Sequence, residues 1–282
     1  MSAKPGVPPV IYHYCGAAGF RAILASKQLW LSDVNFMNDA TEQTHFIDIA
    51  RKVLQDWPSG PEKVFIQLLI KNFEWMRLTP YACCFCEDGD LLSQWCRYAG
   101  DGDGFAVGFS SAWLRDQGRK YAPRHPLLLS GVEYDDDRQR KLVSDCIDDY
   151  LMKVPGLDRE GRRDVSMRAI AKLWVLSALC KNYSFREERE VRLILVDVTN
   201  PDSEVKAIRE QVGVSPLCHR LRNTHSVPYF SLGFSEQAVA EIHLGPTNCE
   251  RQDRRNLEMF LRSNCYDLHR IRIQPSKIPY RH

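Results

Sequence analysis

Segments with the period of a β-strand gather towards the two ends of this chain, and most segments with the period of a helix lie between them. At the N-terminal end, residues 11–15 (Ile-Tyr-His-Tyr-Cys) are a run of aromatic and β-branched side chains. Gly16 breaks the run, Phe20, Ile23 and Leu24 recur at helical spacing, and Leu29 and Leu31 then alternate against Trp30. Strands return at 190–198, 241–244 and 271–273, with a helix over 254–263. A doubly wound parallel sheet would alternate strand and helix regularly. This order instead predicts an α+β fold, a mixed or antiparallel central sheet flanked by helices.

The interior follows the same grammar. A polar loop at 32–39 leads into a helix over 41–57, which Pro58-Ser-Gly-Pro61 stops before a second helix over 62–76. Residues 81–86 read as a strand, and Asp90 is placed to cap a helix over 91–99. A strand at 105–109 and a short one at 132–134 precede two helices, 136–152 and 158–182, split at Pro155-Gly156. The expected organisation is one catalytic-type domain over 1–282 with a helical insertion at about 135–182. Two domains joined near 130–135 are the alternative, and limited proteolysis in that stretch separates the two.

Composition removes several classes. A chain of 282 residues that is 44% hydrophobic is long and apolar enough to bury a core. Basic and acidic residues number 38 and 36, so no global charge draws the chain to nucleic acid or a membrane surface. No apolar run approaches the roughly 18 residues of a membrane span, and the N-terminal residues lack the apolar centre of a signal peptide. A cytoplasmic location is therefore expected. The 10 cysteines sit mostly in apolar runs and read as buried thiols. Cys83 and Cys86 have metal-ligand spacing, but they fall in a strand-like run with no second Cys/His pair, so no metal site is expected.

Four places carry chemistry. In Tyr12-His13-Tyr14, strand alternation turns His13 away from the two tyrosines. A core strand with one hydrogen-bonded histidine explains this, and a pocket lining at the strand end is the alternative. Asn35, Asn38 and Asp39 follow a strand, where turn formation or ligand contact would use them. Trp95 and Tyr98 share a helical face with Leu91 and Leu92, as core packing requires. The glycines after them, Gly102 and Gly104, fit no phosphate-loop pattern. Most informative is the stretch from Lys181 to Arg192. If its strand reaches back to Glu188, then Glu188, Glu190 and Arg192 share one face, and Val191, Leu193 and Leu195 share the other. The carboxylates then form either a solvated strand end or a pocket acid that stabilises positive charge in a sugar-centred transition state.

In order, these pieces resemble a widespread family of bacterial domains of unknown function. The resemblance runs from Ile11 to Arg281 and rests on Tyr12 to Tyr14, Ile23-Leu24, Leu29 to Ser32, Phe36 to Asp39, Cys84 to Glu87 and Trp95 to Ala99. It continues with Gly104 to Phe109, Lys181 with Glu188 to Arg192, and Ser276 to Arg281. A more distant resemblance links the opening strand–helix–strand and the late Glu-x-Glu strand to the ADP-ribosyltransferase fold. That resemblance implies NAD as substrate, cleavage of its nicotinamide–ribose bond, and an acceptor that is a protein or nucleic acid. It implies Glu190 and Glu188 as catalytic, the latter engaging the acceptor, with His13 on the first strand gripping NAD. Tyr14, Asn38, Trp95, Tyr98, Lys181 and Arg192 complete the expected NAD-binding set. The middle position of the family's pattern falls on Tyr81, Trp95, Tyr98 or Phe109, and the Ser-Thr-Ser signature is absent. A toxin- or phage-defence-type effector is the implied role. A metal-dependent nuclease built on Glu188, Glu190 and Lys181, and a non-catalytic binding module, are the competing functions.

Overall fold

The computed structural model describes residues 6–37, 42–58, 60, 62–75, 78–120, 127–197, 214–222, 224–247 and 251–280. The chain opens with β1 (Val10–Cys15), α1 (Ala17–Ser26) and β2 (Gln28–Asp33), then α2 (Glu42–Gln55) and α3 (Lys63–Trp75). Next come β3 (Thr79–Cys86), α4 (Leu92–Tyr98), β4 (Phe105–Ser110), α5 (Ser111–Lys120) and β5 (Leu127–Gly131). Two helices follow, α6 (Asp136–Leu151) and α7 (Arg159–Ser177), and then β6 (Glu190–Asp197). The remaining elements are β7 (Cys218–Arg222), β8 (His225–Gly233), β9 (Val239–Leu244), α8 (Arg251–Ser263) and β10 (Arg272–Pro275). The fold is α+β.

Local chemistry accounts for the helix boundaries. Asp135 and Asp158 cap α6 and α7, each side chain accepting from the backbone N–H three residues on. Asp90 does not cap α4: Leu91 holds that position, and Asp90 instead accepts from Trp95 Nε1, Ser276 and the Lys277 N–H. It ties the C-terminal segment to α4. The helix expected over 158–182 ends at Ser177, and Lys181 lies in extended chain whose N–H donates to the Glu133 carbonyl. Gly104 is needed for close approach, because a Cβ there would meet the carbonyl oxygens of Cys15 and Ala99.

Among the described residues ten strands form one mixed sheet, antiparallel except where β10 runs parallel to β9. One face buries Leu24, Leu31, Phe85, Phe109, Leu193 and Phe230 under α1, α5 and α8. The other buries Ala82 and Ile194 under α2, α3, α6 and α7. Helices α6 and α7 share one apolar cluster with α2 and α3, and burying each such Leu or Phe stabilises by about 1.5–3 kcal/mol.

The topology opens a gap. One edge of β3 pairs with β6 along its whole length, from Thr79 opposite Asp197 to Cys86 opposite Glu190. The other edge is shared. β1 reaches it at Tyr12–Cys86, and β2 reaches it at Ser32–Ala82 and Asp33–Tyr81. Between these meeting points the two half-sheets, β10-β9-β4-β1 and β2-β8-β7, diverge. Cys84 sits in the gap.

Candidate functional site

The gap is a cavity of about 460 Å³. Its wall includes His13 and Tyr14 of β1, Trp30 and Ser32 of β2, Ala82 to Cys86 of β3, Tyr98 of α4, Glu188, Glu190, and Arg220 and Arg222 of β7. Its size falls within the range of small-molecule pockets.

His13 completes the broken ladder. Its Nδ1 lies 2.9 Å from the Cys84 carbonyl oxygen, which no strand satisfies on that edge. A carbonyl only accepts, so Nδ1 carries the proton and Nε2 is the acceptor nitrogen of the neutral ring. Burial lowers the His13 pKa, and the Cys84 contact only partly opposes it. Tyr14 accepts from the Leu91 N–H and donates to the Asp88 carbonyl, fixing the turn before α4.

At one end of the cavity stand the two carboxylates. The strand does not reach back to Glu188: a short 3-10 helix over Tyr183–Glu188 ends there, and Arg189 takes a left-handed conformation at φ 43°. That residue turns the chain into β6, so Glu188 and Glu190 still converge. They are not a solvated strand end, for both are 7% exposed, Lys181 is 1% exposed and Arg192 is fully buried. Arg192 Nε and Nη2 donate to Glu190 Oε1 (2.9 Å) and Oε2 (2.8 Å), and Nη1 donates to the Ala178 carbonyl. Lys181 Nζ lies between the acids, 2.6 Å from Glu188 Oε2 and 3.2 Å from Glu190 Oε2. Arg97 donates to Glu188 Oε1 at 2.7 Å and the Tyr98 hydroxyl does so at 3.3 Å. The Tyr134 hydroxyl accepts from the Glu190 N–H.

These contacts set the charge states. Burial by itself would raise the Glu190 carboxyl, but the Arg192 and Lys181 charges, with hydrogen bonds from Arg192 and Cys84, bring it down to about 2. Burial and the Glu188 charge push the Tyr98 phenol up to about 12. Cys84 is raised well above the usual thiol value by burial and then by Glu190, so it is a neutral thiol and not a nucleophile. Cys83 and Cys86, three apart on β3, fall on opposite faces: Cys83 packs in the apolar core and Cys86 beside Trp95. They do not share a metal.

Of the residues expected to bind a ligand, His13, Tyr14, Tyr98, Glu188 and Glu190 line the cavity. Trp95, Lys181 and Arg192 stand behind its wall instead. Trp95 is fully buried against Tyr14, and the two cations face the carboxylates. Tyr81 and Phe109, also weighed for the middle position, are in the apolar core. Asn38 lies outside the described residues. Sequence reasoning missed Trp30, Arg220 and Arg222. The alternating Arg-x-Arg of 220–222 was the available signal, but no strand was read there. Among the described residues no helix is long and apolar enough to cross a membrane.

No curated protein and no solved structure matches the chain. The segment from α4 to the first half of β6 carries Tyr98, Lys181, Glu188, Glu190 and Arg192, the whole carboxylate cluster. Over that segment, residues 94–193, the chain matches the family described as a protein of unknown function, DUF2971.

Proposed function

We propose that this protein binds NAD in the cavity between its diverging half-sheets and cleaves the nicotinamide–ribose bond, as an ADP-ribosyltransferase or NAD glycohydrolase. The observation that supports this reading most is the meeting, in one small-molecule-sized cavity, of His13 from the first strand with the Glu188 and Glu190 carboxylates from either side of the turn into β6. In the reaction the C1′–N bond breaks, and nicotinamide leaves with the bonding electron pair. A cationic ribosyl carbon remains, and water or an acceptor nucleophile then bonds to C1′ and loses its proton. Glu190, kept ionised, would hold the ribose as that charge develops, a ribose hydroxyl replacing the Cys84 thiol against it. Glu188 would engage the acceptor. Tyr98 and His13 would frame the nicotinamide riboside.

The test is nicotinamide release from NAD by the purified chain. Glu190→Gln is expected to lower kcat about 10²–10³-fold with a much smaller change in KM. Glu188→Gln is expected to spare hydrolysis and weaken transfer. A wild-type protein that binds NAD and releases no nicotinamide ends the reading.

One observation favours a non-catalytic binding module as the second reading. Lys181 and Arg192 offset the two acids charge for charge, and Arg97 adds a further cation. Ligand binding without product, in the same assay, is its signature. The nuclease reading has less support, because Lys181 Nζ occupies the position between the carboxylates that a divalent cation would need.

A further inference from the structure

The cavity is polarised along its length. On β3, Cys86 stands opposite Glu190 and Ala82 opposite Ser32, so the carboxylates and Ser32 are separated by about 13 Å of strand. Beside Ser32 are two arginines that the catalytic reading does not use. Arg220 and Arg222 lie two apart on β7 and so share a face. Arg220 Nη2 donates to Ser32 Oγ at 3.1 Å, and its guanidinium carbon stands 5.2 Å from the Trp30 ring centre. Arg222 Nη1 donates to the Phe36 carbonyl at 2.8 Å. Both groups are thus oriented by neutral acceptors. Arg220 Nε is shut away from solvent and has no hydrogen-bond partner among the described residues. An unsatisfied buried donor on a cation is costly, and a second cation beside it adds repulsion.

We propose that Arg220 and Arg222 form an anion subsite that takes the phosphate of a nucleotide, at the end of the cavity away from Glu188 and Glu190. A phosphate presents several acceptor oxygens that match the planar guanidinium fork, and it cancels the repulsion between the two side chains. Burial and then the Arg222 charge lower the Arg220 pKa, as expected of a cation short of counter-charge. Trp30, 43% exposed on the same cavity wall, offers a flat apolar surface beside the phosphate, which favours a nucleotide over a bare ion. The inference shares its cavity with the proposed function but needs no bond cleavage.

Calorimetric titration of the full chain with ADP, AMP, inorganic phosphate and adenosine tests it. ADP is expected to bind the wild type, and Arg220→Gln is expected to weaken that binding about 10–100-fold. Arg220→Lys, which keeps the charge but not the fork, should fall between. Adenosine should bind wild type and variants alike, which also controls for folding. No ADP binding to the wild type overturns the subsite. So does equal affinity for ADP and adenosine, or an unchanged ADP affinity in Arg220→Gln/Arg222→Gln. Inorganic phosphate binding as tightly as ADP overturns the nucleotide assignment. Absence of nicotinamide release alongside intact, arginine-dependent ADP binding overturns only the catalytic reading.

Discussion

Replacing Glu190 by Gln removes one charge from a buried cluster and tests whether that cluster holds the fold together. By size and hydrogen-bonding capacity alone, Gln is a conservative replacement that would leave the fold intact. The geometry says otherwise. Gln cannot offer two anionic oxygens to Arg192, so a fully buried guanidinium loses the ionic contact with both Glu190 oxygens, and Lys181 loses its contact with the Glu190 charge. The Glu190 carboxyl falls from an ordinary 4.5 to about 2 in the folded protein. At about 1.4 kcal/mol per pH unit, that difference amounts to about 3 kcal/mol of stabilisation by the ionised form. Breaking one partner of a buried ion pair costs a similar amount, about 3–5 kcal/mol. Because the folded pKa is depressed, the stabilisation is full above about pH 4.5 and is lost as pH falls through about 2. The assay is urea denaturation of wild type and Glu190→Gln between pH 7 and pH 3. The wild-type advantage should be about 3 kcal/mol at pH 7 and about half that, or less, by pH 3. A difference below about 0.5 kcal/mol at pH 7, or one that does not shrink with acid, refutes the account.

Lys181→Met should destabilise by a further-reaching route, since it leaves two carboxylates facing each other with Lys181 gone; about 3–5 kcal/mol is expected by denaturation, and equal stability would contradict the assigned contacts. Asp90→Ala releases Trp95 Nε1, Ser276 and the Lys277 N–H together, and should speed hydrogen exchange over 276–280 at a cost of about 1–3 kcal/mol. In native protein, iodoacetamide should label the exposed Cys96 and Cys265 well before the buried Cys15 and Cys83 and before Cys84, which lines the cavity but is held protonated, as peptide mass mapping will read; Cys84 labelling at the Cys265 rate would remove the neutral-thiol assignment.

Local periodicity was enough to find β1, α1, β2, β3, β4 and β6, because each has a face of apolar residues at the period its backbone imposes. The same alternation put Glu190 and Arg192 on one face of β6 and Val191, Leu193 and Leu195 on the other, as the packing shows. The starts of α6 and α7 are fixed locally as well, since an Asp side chain reaches its own helix within three residues, whereas Asp90, the one cap expected from the sequence, binds the distant C-terminal segment instead. What remained hidden was pairing between distant segments. β7 and β8 carry short mixed patterns whose strand character comes from neighbours on the sheet, and so Arg220 and Arg222 went unread. That β1 and β2 share one edge of β3 and leave Cys84 to His13 follows from register, which no local pattern encodes. Lys181 is legible as a lone charge after an apolar helix; that it is buried between two acids was decided by the left-handed Arg189 and the early end of α7. Charge in a sequence names the groups. Only the tertiary structure decides which of them are taken out of water together, and there the desolvation cost forces them into pairs.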